Sequence, residues 1–168
     1  NDLFQANYVS STSVVVVKRQ AFLDAGGFDE RFRSIAEDYD LWMRISAVAP
    51  VVGVPAYTVR YRRHDSNLTH QTVKQIMADL RVLKKAQRMI TQNVVDERNH
   101  PRCIDVRARM RTFYTDASVS LFTIGAYGHM RSIGIDAIRQ GYVTQDLIKR
   151  LLLCLLPSSI ITVSRDLR

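Results

Sequence analysis

Three carboxylates stand within four positions of one short segment, RSIAEDYDLWMRI, which covers residues 33–45. They are Glu37, Asp38 and Asp40. A carboxylate at a helix start can stabilise the positive end of the helix dipole, or it can serve as a general base at the mouth of a cleft. These residue types are compatible with both interpretations. The choice between them depends on the elements that position the three carboxylates.

The first interpretation is helix capping. Ser34 stands three residues before Glu37, which is the spacing of a capping box. A helix is predicted from there to about Val48, and Pro50 should end it. In this arrangement the Glu37 carboxylate accepts a hydrogen bond from the backbone N–H of Ser34.

The second interpretation is chemical. A carboxylate at a helix N-terminus stays ionised and is aimed out of the helix end, as a general base requires. Asp38 fits this role, whereas Asp40 is placed for an i,i+4 ion pair with Arg44. Asp38-Tyr39-Asp40 is also formally the D-x-D motif that binds a metal in many sugar-nucleotide enzymes, although that motif normally follows a strand.

Strand-like and helix-like units alternate up to about residue 70. The β-branched run Val14–Val17 predicts a buried strand, and a helix over residues 18–25 should end at Gly26-Gly27. Apolar and polar residues alternate from Val54 to Arg62, which predicts a strand with one basic face. We therefore expect one domain over residues 1–70.

Beyond this boundary the apolar spacing is purely helical, so residues 71–168 are predicted to form an all-α extension. Helices are expected over residues 72–92, 103–126, 129–139 and 144–156. Cys103 and Cys154 match no zinc or redox spacing and are expected to be free thiols.

The composition is that of a globular protein with an excess of positive charge. Hydrophobic residues make up 46% of the chain, charged residues 24%, and the net charge is +8. This charge favours an acidic partner: nucleic acid, anionic lipid or a phosphorylated small molecule. Nucleic acid is not expected, because the basic residues are scattered and no reading motif accompanies them.

A membrane surface is a further alternative. Lys149 and Arg150 directly precede the run LLLCLL, residues 151–156. Such residues either form the solvated faces of packed helices or adhere to an anionic membrane, which would make the chain a basic interaction or membrane-surface module. No apolar run approaches the roughly 20 residues of a membrane span, so we expect a cytoplasmic chain, peripheral at the inner face of the membrane.

The stretch SSTSVVVVKRQAFLDAGGFDERFRSIAEDYDLWMRISAVAPVVGVPAYTVRYRRH resembles the second half of the catalytic domain of family 2 glycosyltransferases, inverting enzymes of the GT-A fold. The matching pieces occur in the family's order over about residues 7–70. They are Ser10–Val17, Gly26-Gly27-Phe28-Asp29-Glu30, Glu37-Asp38 followed by Leu41, Trp42 and Arg44, and Tyr61-Arg62-Arg63-His64. The resemblance implies an α/β fold, a partial GT-A, Rossmann-like half with few strands, ahead of the helical extension.

The resemblance also implies site residues. Asp38 would be the general base that deprotonates the acceptor hydroxyl, and Glu37 would cap and orient the helix. His64 would help to hold a divalent metal, Mg or Mn, and Arg62 and Arg63 would contact the leaving diphosphate. Trp42 is either a platform for the acceptor sugar or a core residue.

The implied reaction moves a sugar from a nucleotide-sugar donor to a glycan or lipid-linked acceptor, in the synthesis of cell-envelope polysaccharide. The family's nucleotide-binding half and its strand-terminated D-x-D have no counterpart among these residues, and Asp2 is no substitute. The 168-residue chain by itself is therefore expected to be inactive.

Overall fold

The structure is a computed structural model that describes residues 2–9, 11–32, 35–60, 72–92 and 105–156. The α-helices in these ranges are α1 (Asp2–Gln5), α2 (Arg19–Asp24), α3 (Glu37–Val48), α4 (Thr72–Thr91), α5 (Val106–Thr123), α6 (Tyr127–Arg139) and α7 (Gln145–Leu153). Short 3₁₀ helices cover Thr12–Val14 and Glu30–Phe32. By its contacts the chain divides into two units, Asn1–Ile104 and Asp105–Arg168.

The α/β prediction is wrong for the described part of the chain, which is 68% helical and contains no strand. Val15 does have extended backbone angles, but Val16 beside it is fully exposed. Of the second predicted strand, residues 54–60 are described and are exposed throughout, and Val54 is 77% exposed. β-branched residues favour extended backbone, whereas a strand also needs a neighbour that completes its backbone hydrogen bonds, and the described residues supply none.

Helix α3 is the centre of the first unit and packs against α1, α2 and α4. Six of its residues are buried, on most sides of the helix: Tyr39, Asp40, Leu41, Trp42, Met43 and Ile45. The hydroxyl of Tyr39 donates a hydrogen bond of 3.0 Å to the backbone oxygen of Leu3, which ties α1 to α3. A helix covered on three sides can hold its first turn in a fixed position.

Two glycines end α2, as the sequence predicts, and α2 packs against α3. Gly26 and Gly27 have φ angles of +79° and +66°, a conformation that strains other residues. The Gly27 N–H donates a hydrogen bond to the Phe22 oxygen at 3.0 Å, closing the helix end. Arg44 of α3 donates to the carbonyl oxygen of Ala25 at this same end.

The second unit consists of α5, α6 and α7, each of which contacts the other two. Tyr114 and Asp136 join α5 to α6 through a hydrogen bond of 2.5 Å, and the Tyr114 ring stacks on Tyr142 at 5.6 Å. The side chain of Thr144 caps α7 by accepting from the Leu147 N–H. Burial and the Asp136 bond raise the pKa of the Tyr114 phenol far above its usual value.

The four C-terminal helices agree with their predictions to within a few residues, because long amphipathic segments carry a strong periodic signal. Cys154 is a buried free thiol as predicted, and burial raises its pKa; Cys103 lies outside the described residues. The domain boundary predicted near residue 70 also lies outside them and stays a prediction. Within the described ranges no helix is long and apolar enough to cross a membrane.

Candidate functional site

The acidic segment forms the first turn of α3. The residue before it, Ala36, is buried and has a φ of 64°, in the left-handed region that a residue with a Cβ rarely adopts. Ala36 is the N-cap and makes no side-chain cap hydrogen bond. The helix thus begins directly at Glu37, while Ser34, the predicted capping partner of Glu37, lies outside the described residues.

Both carboxylate oxygens of Asp40 form ion pairs. It is 2% exposed, and its Oδ2 accepts hydrogen bonds from Nε and Nη2 of Arg44 at 2.9 and 2.7 Å. The other oxygen, Oδ1, lies 2.7 Å from Nζ of Lys85 on α4. The predicted i,i+4 pair with Arg44 is confirmed. With both oxygens paired to cations, Asp40 has no role as a base that receives a substrate proton.

Lys85 continues the pairing to a second carboxylate. Its Nζ also lies 2.8 Å from Oδ2 of Asp29. The guanidinium of Arg31 donates to both oxygens of Asp29, to Oδ1 at 2.8 Å and to Oδ2 at 2.7 Å. Arg31 and Lys85 hold the pKa of Asp29 far below its usual range. Together Arg31, Asp29, Lys85, Asp40 and Arg44 form one run of alternating charges, the ion-pair chain.

An aromatic ring lies against the same cations. Phe32 is buried, and the guanidinium carbon of Arg81 and the ammonium of Lys85 lie 5.1 and 5.5 Å from its ring centroid. Arg81 also donates a hydrogen bond of 3.0 Å to the backbone oxygen of Arg31. Helix α4 therefore holds the loop before α3 through two basic side chains.

Asp38, like Glu37, is a carboxylate of this helix start that lies outside the ion-pair chain. It is half-buried, and its Oδ1 accepts a hydrogen bond of 2.7 Å from the N–H of Tyr39. Glu37 beside it is half-buried as well. The carboxylate of Asp38 thus lies at the positive end of a helix whose next acidic residue, Asp40, is fixed by two cations. This arrangement suits a base that must be charged and reachable.

Of the predicted site residues outside the acidic turn, the structure describes Trp42. Trp42 is 7% exposed on α3, a burial that fits core packing, and its indole N–H finds no hydrogen-bond partner among the described residues. Arg62, Arg63 and His64 lie outside the described residues. No three His, Cys, Asp or Glu side chains within the described ranges are grouped to hold a metal, so we derive no step through one.

Sequence analysis missed the basic half of this region. Asp29 belongs to the segment that carries the resemblance, but its partner Lys85 lies 56 positions along the chain. Arg81, which donates to the backbone oxygen of Arg31, is similarly distant. The signal in the sequence is that Lys85 stands next to the apolar residues Val82, Leu83 and Ala86 of a predicted helix, which the structure buries. A lysine in that position needs a carboxylate partner.

Comparison with known proteins places these elements in one family. The model of a family described as glycosyltransferase like family 2 matches residues 2–100. The matched range includes the acidic turn of α3, the ion-pair chain and all of α4. No match was found among the curated proteins or the solved structures.

Proposed function

Because the chain belongs to the glycosyltransferase-like family 2, we propose that it serves the transfer of a sugar from a nucleotide-sugar donor to a glycan or lipid-linked acceptor, with inversion at the anomeric carbon. The observation that carries this proposal is the family match over the acidic turn, within which Asp40 is paired, whereas Asp38 and Glu37 are half-buried and lie outside those pairs.

Asp38 is the proposed general base. As the acceptor oxygen attacks the anomeric carbon, its proton passes to the Asp38 carboxylate, and the bond between that carbon and the nucleoside diphosphate breaks. Glu37 is proposed to orient the same turn.

Three further residues belong to the proposal by resemblance alone. Arg62 and Arg63 would compensate the charge that develops on the leaving diphosphate, and His64 would contribute to holding Mg or Mn. A divalent metal would supply neutralisation of that diphosphate. Their arrangement lies outside the described residues, and the role of Asp38 does not depend on it.

The test compares two substitutions in the protein as its host makes it. Asp38→Asn removes the base and keeps the shape, so kcat for release of nucleoside diphosphate in the presence of acceptor should fall by about 10²–10⁴-fold. Asp24→Asn is the control, since Asp24 is an exposed carboxylate outside the acidic turn, and it should retain most of kcat. Near-normal turnover by Asp38→Asn would exclude it as the base.

We further propose that the 168-residue chain alone transfers no sugar, because its D-x-D, Asp38-Tyr39-Asp40, lies in the first turn of a helix and its Asp40 is already paired with Arg44 and Lys85. The measurement is transfer from radiolabelled UDP-glucose, UDP-N-acetylglucosamine and GDP-mannose with Mg²⁺ or Mn²⁺. Transfer that requires the metal and Asp38 would contradict this second proposal and support the first.

A further inference from the structure

An apolar surface lies on the outside of the second unit, and nothing in the proposed transfer reaction uses it. It consists of five aliphatic side chains on α6, on α7 and in the turn that follows α7, each between 39% and 67% exposed: Ile135, Ile138, Ile148, Leu152 and Leu155. Isolated exposed aliphatic residues are ordinary, whereas a contiguous group is typical of an interaction surface. The packing of α6 against α7 brings these five side chains together.

Two contacts fix α6 and α7 as antiparallel neighbours. A Cβ added at Gly134 would lie 3.1 Å from Cδ1 of Leu151, and Nη1 of Arg131 donates to the backbone oxygen of Cys154 at 3.4 Å. Moving towards the end of α6 therefore means moving towards the start of α7. Ile138 thus comes level with the first turns of α7, and Arg131 with its last turn.

The helical period puts the aliphatic residues on one side of the contact between α6 and α7. Leu147 and Cys154 are buried, so the inner face of α7 is fixed, and Ile148, Leu152 and Leu155 follow at spacings of four and three on the face beside it. On α6, Met130, Ile133 and Ala137 are buried. Going around the helix axis, Gly134 lies between these buried residues and the exposed Ile138 and Ile135. The five residues form the apolar face.

The charges around the apolar face are basic. Arg131 and Arg139 of α6 and Lys149 of α7 are exposed next to its members. The acidic residues of these helices lie elsewhere: Asp136 bonds to Tyr114 on the α5 side, and Asp146 is two residues, or about 200°, from Ile148 around α7. A surface of aliphatic side chains with a cationic rim is complementary to the interface of an anionic bilayer.

We propose that the apolar face docks the second unit onto an anionic lipid surface, with the five aliphatic side chains in the headgroup and acyl boundary and the three cations at the phosphates. A protein partner fits less well, because the face has no aromatic residue and the core of a protein interface is enriched in them. The proposal goes beyond the proposed function and stands without it.

The test is co-sedimentation of the full 168-residue chain with vesicles. Binding to phosphatidylcholine with one third phosphatidylglycerol should exceed binding to pure phosphatidylcholine by tenfold or more and weaken as NaCl is raised. Leu152→Glu should reduce binding to the mixed vesicles by about tenfold. The matched control is Val119→Glu on α5, at a residue 39% exposed and outside the apolar face, which should bind like the unchanged chain.

A charge variant separates the two halves of the proposal. Arg139→Gln with Lys149→Gln should lower binding to the mixed vesicles by about fivefold for each cation and leave binding to neutral vesicles unchanged. Both positions are exposed, and circular dichroism should confirm folding of every variant.

Four results would overturn the proposal. They are equal binding to neutral and anionic vesicles, equal losses in Val119→Glu and Leu152→Glu, a stable dimer in light scattering that Leu152→Glu dissociates, and a tenfold gain in vesicle binding on removal of residues 157–168. The third would assign the face to a second copy of this chain, and the fourth to the chain's own C-terminal segment.

Discussion

The ammonium group of Lys85 on α4 lies 2.7 Å from Oδ1 of Asp40 on α3, where the carboxylate is nearly inaccessible to solvent. The same ammonium lies 2.8 Å from Oδ2 of Asp29 in the loop before α3. One lysine therefore links the loop, the helix with the acidic turn and the helix packed against it. The position of Asp38 depends on a residue that has no part in the proposed chemistry.

Replacing Lys85 with Met should destabilise the first unit by about 2 kcal/mol, because Asp40 and Asp29 each lose one charged hydrogen bond and keep an arginine partner. The measurement is urea unfolding followed by the fluorescence of Trp42, the single tryptophan of the chain, which lies on α3. Lys74→Met is the control, since Lys74 is exposed on the same helix. Equal midpoints for the two variants would show that the ion-pair chain contributes little.

The partner of Lys85 illustrates what sequence patterns leave out. Helix limits and the Asp40–Arg44 pair follow from local spacing, since residues four apart on a helix must be neighbours. A pair between Lys85 and Asp29 joins residues separated by 56 positions, and no period or motif in one sequence records such a contact. The Asp40–Arg44 pair at the helix start was therefore predictable from sequence, but its support from α4 was not.

The strand predictions failed for a related reason. Alternation and β-branching describe one segment by itself, whereas a sheet is a property of at least two segments. Val16 and Val54 are exposed in the described structure, where no strand pairs with either. Helices were predicted well because their hydrogen bonds are internal to the segment.

Ala36 provides a test of the backbone at the acidic turn. Its φ of 64° would be unstrained for glycine and severely strained for a β-branched residue. Ala36→Gly should stay within about 0.5 kcal/mol of the unchanged chain, since relief of strain offsets the lost methyl group and the gain in unfolded-state entropy. Ala36→Val should cost about 2 kcal/mol or more.

Trp42 fluorescence in urea again reports the difference between these variants. The reverse order, with valine better tolerated than glycine, would mean that Ala36 is extended and that α3 starts elsewhere. If the order holds, kcat of the host-made protein should fall more in Ala36→Val than in Ala36→Gly, because the direction of Asp38 is set by this residue.

Asp29 makes the first unit sensitive to acid. Its pKa is lowered in the folded chain, chiefly by Arg31 and then by Lys85, so its contribution to stability is present above the unfolded value of about 3.9 and is lost as pH falls below it. Between pH 5 and 2 the urea midpoint should fall more steeply in the unchanged chain than in Asp29→Asn. Asp24→Asn, an exposed carboxylate outside the ion-pair chain, should keep the steep fall. Parallel curves for all three would contradict the assignment.

Tyr114 should have the opposite effect at high pH in the second unit. Burial and the hydrogen bond to Asp136 raise the pKa of its phenol, so its stabilisation is complete below the unfolded value of about 10 and declines as pH rises above it. Tyr114→Phe should cost about 1–2 kcal/mol at pH 7 and make the decline above pH 10 shallower.

Absorbance at 295 nm, which reports tyrosinate, measures this directly. In the unchanged chain one tyrosine should ionise only as the helices of the second unit unfold, and Tyr114→Phe should remove that late step. Tyr127→Phe is the control, because its ring packs edge-on against Phe122 and its phenol is not part of the Asp136 bond. If the late ionisation step survives in Tyr114→Phe, the late-ionising phenol belongs to another tyrosine. The Tyr114–Asp136 hydrogen bond would then not be the polar link between α5 and α6.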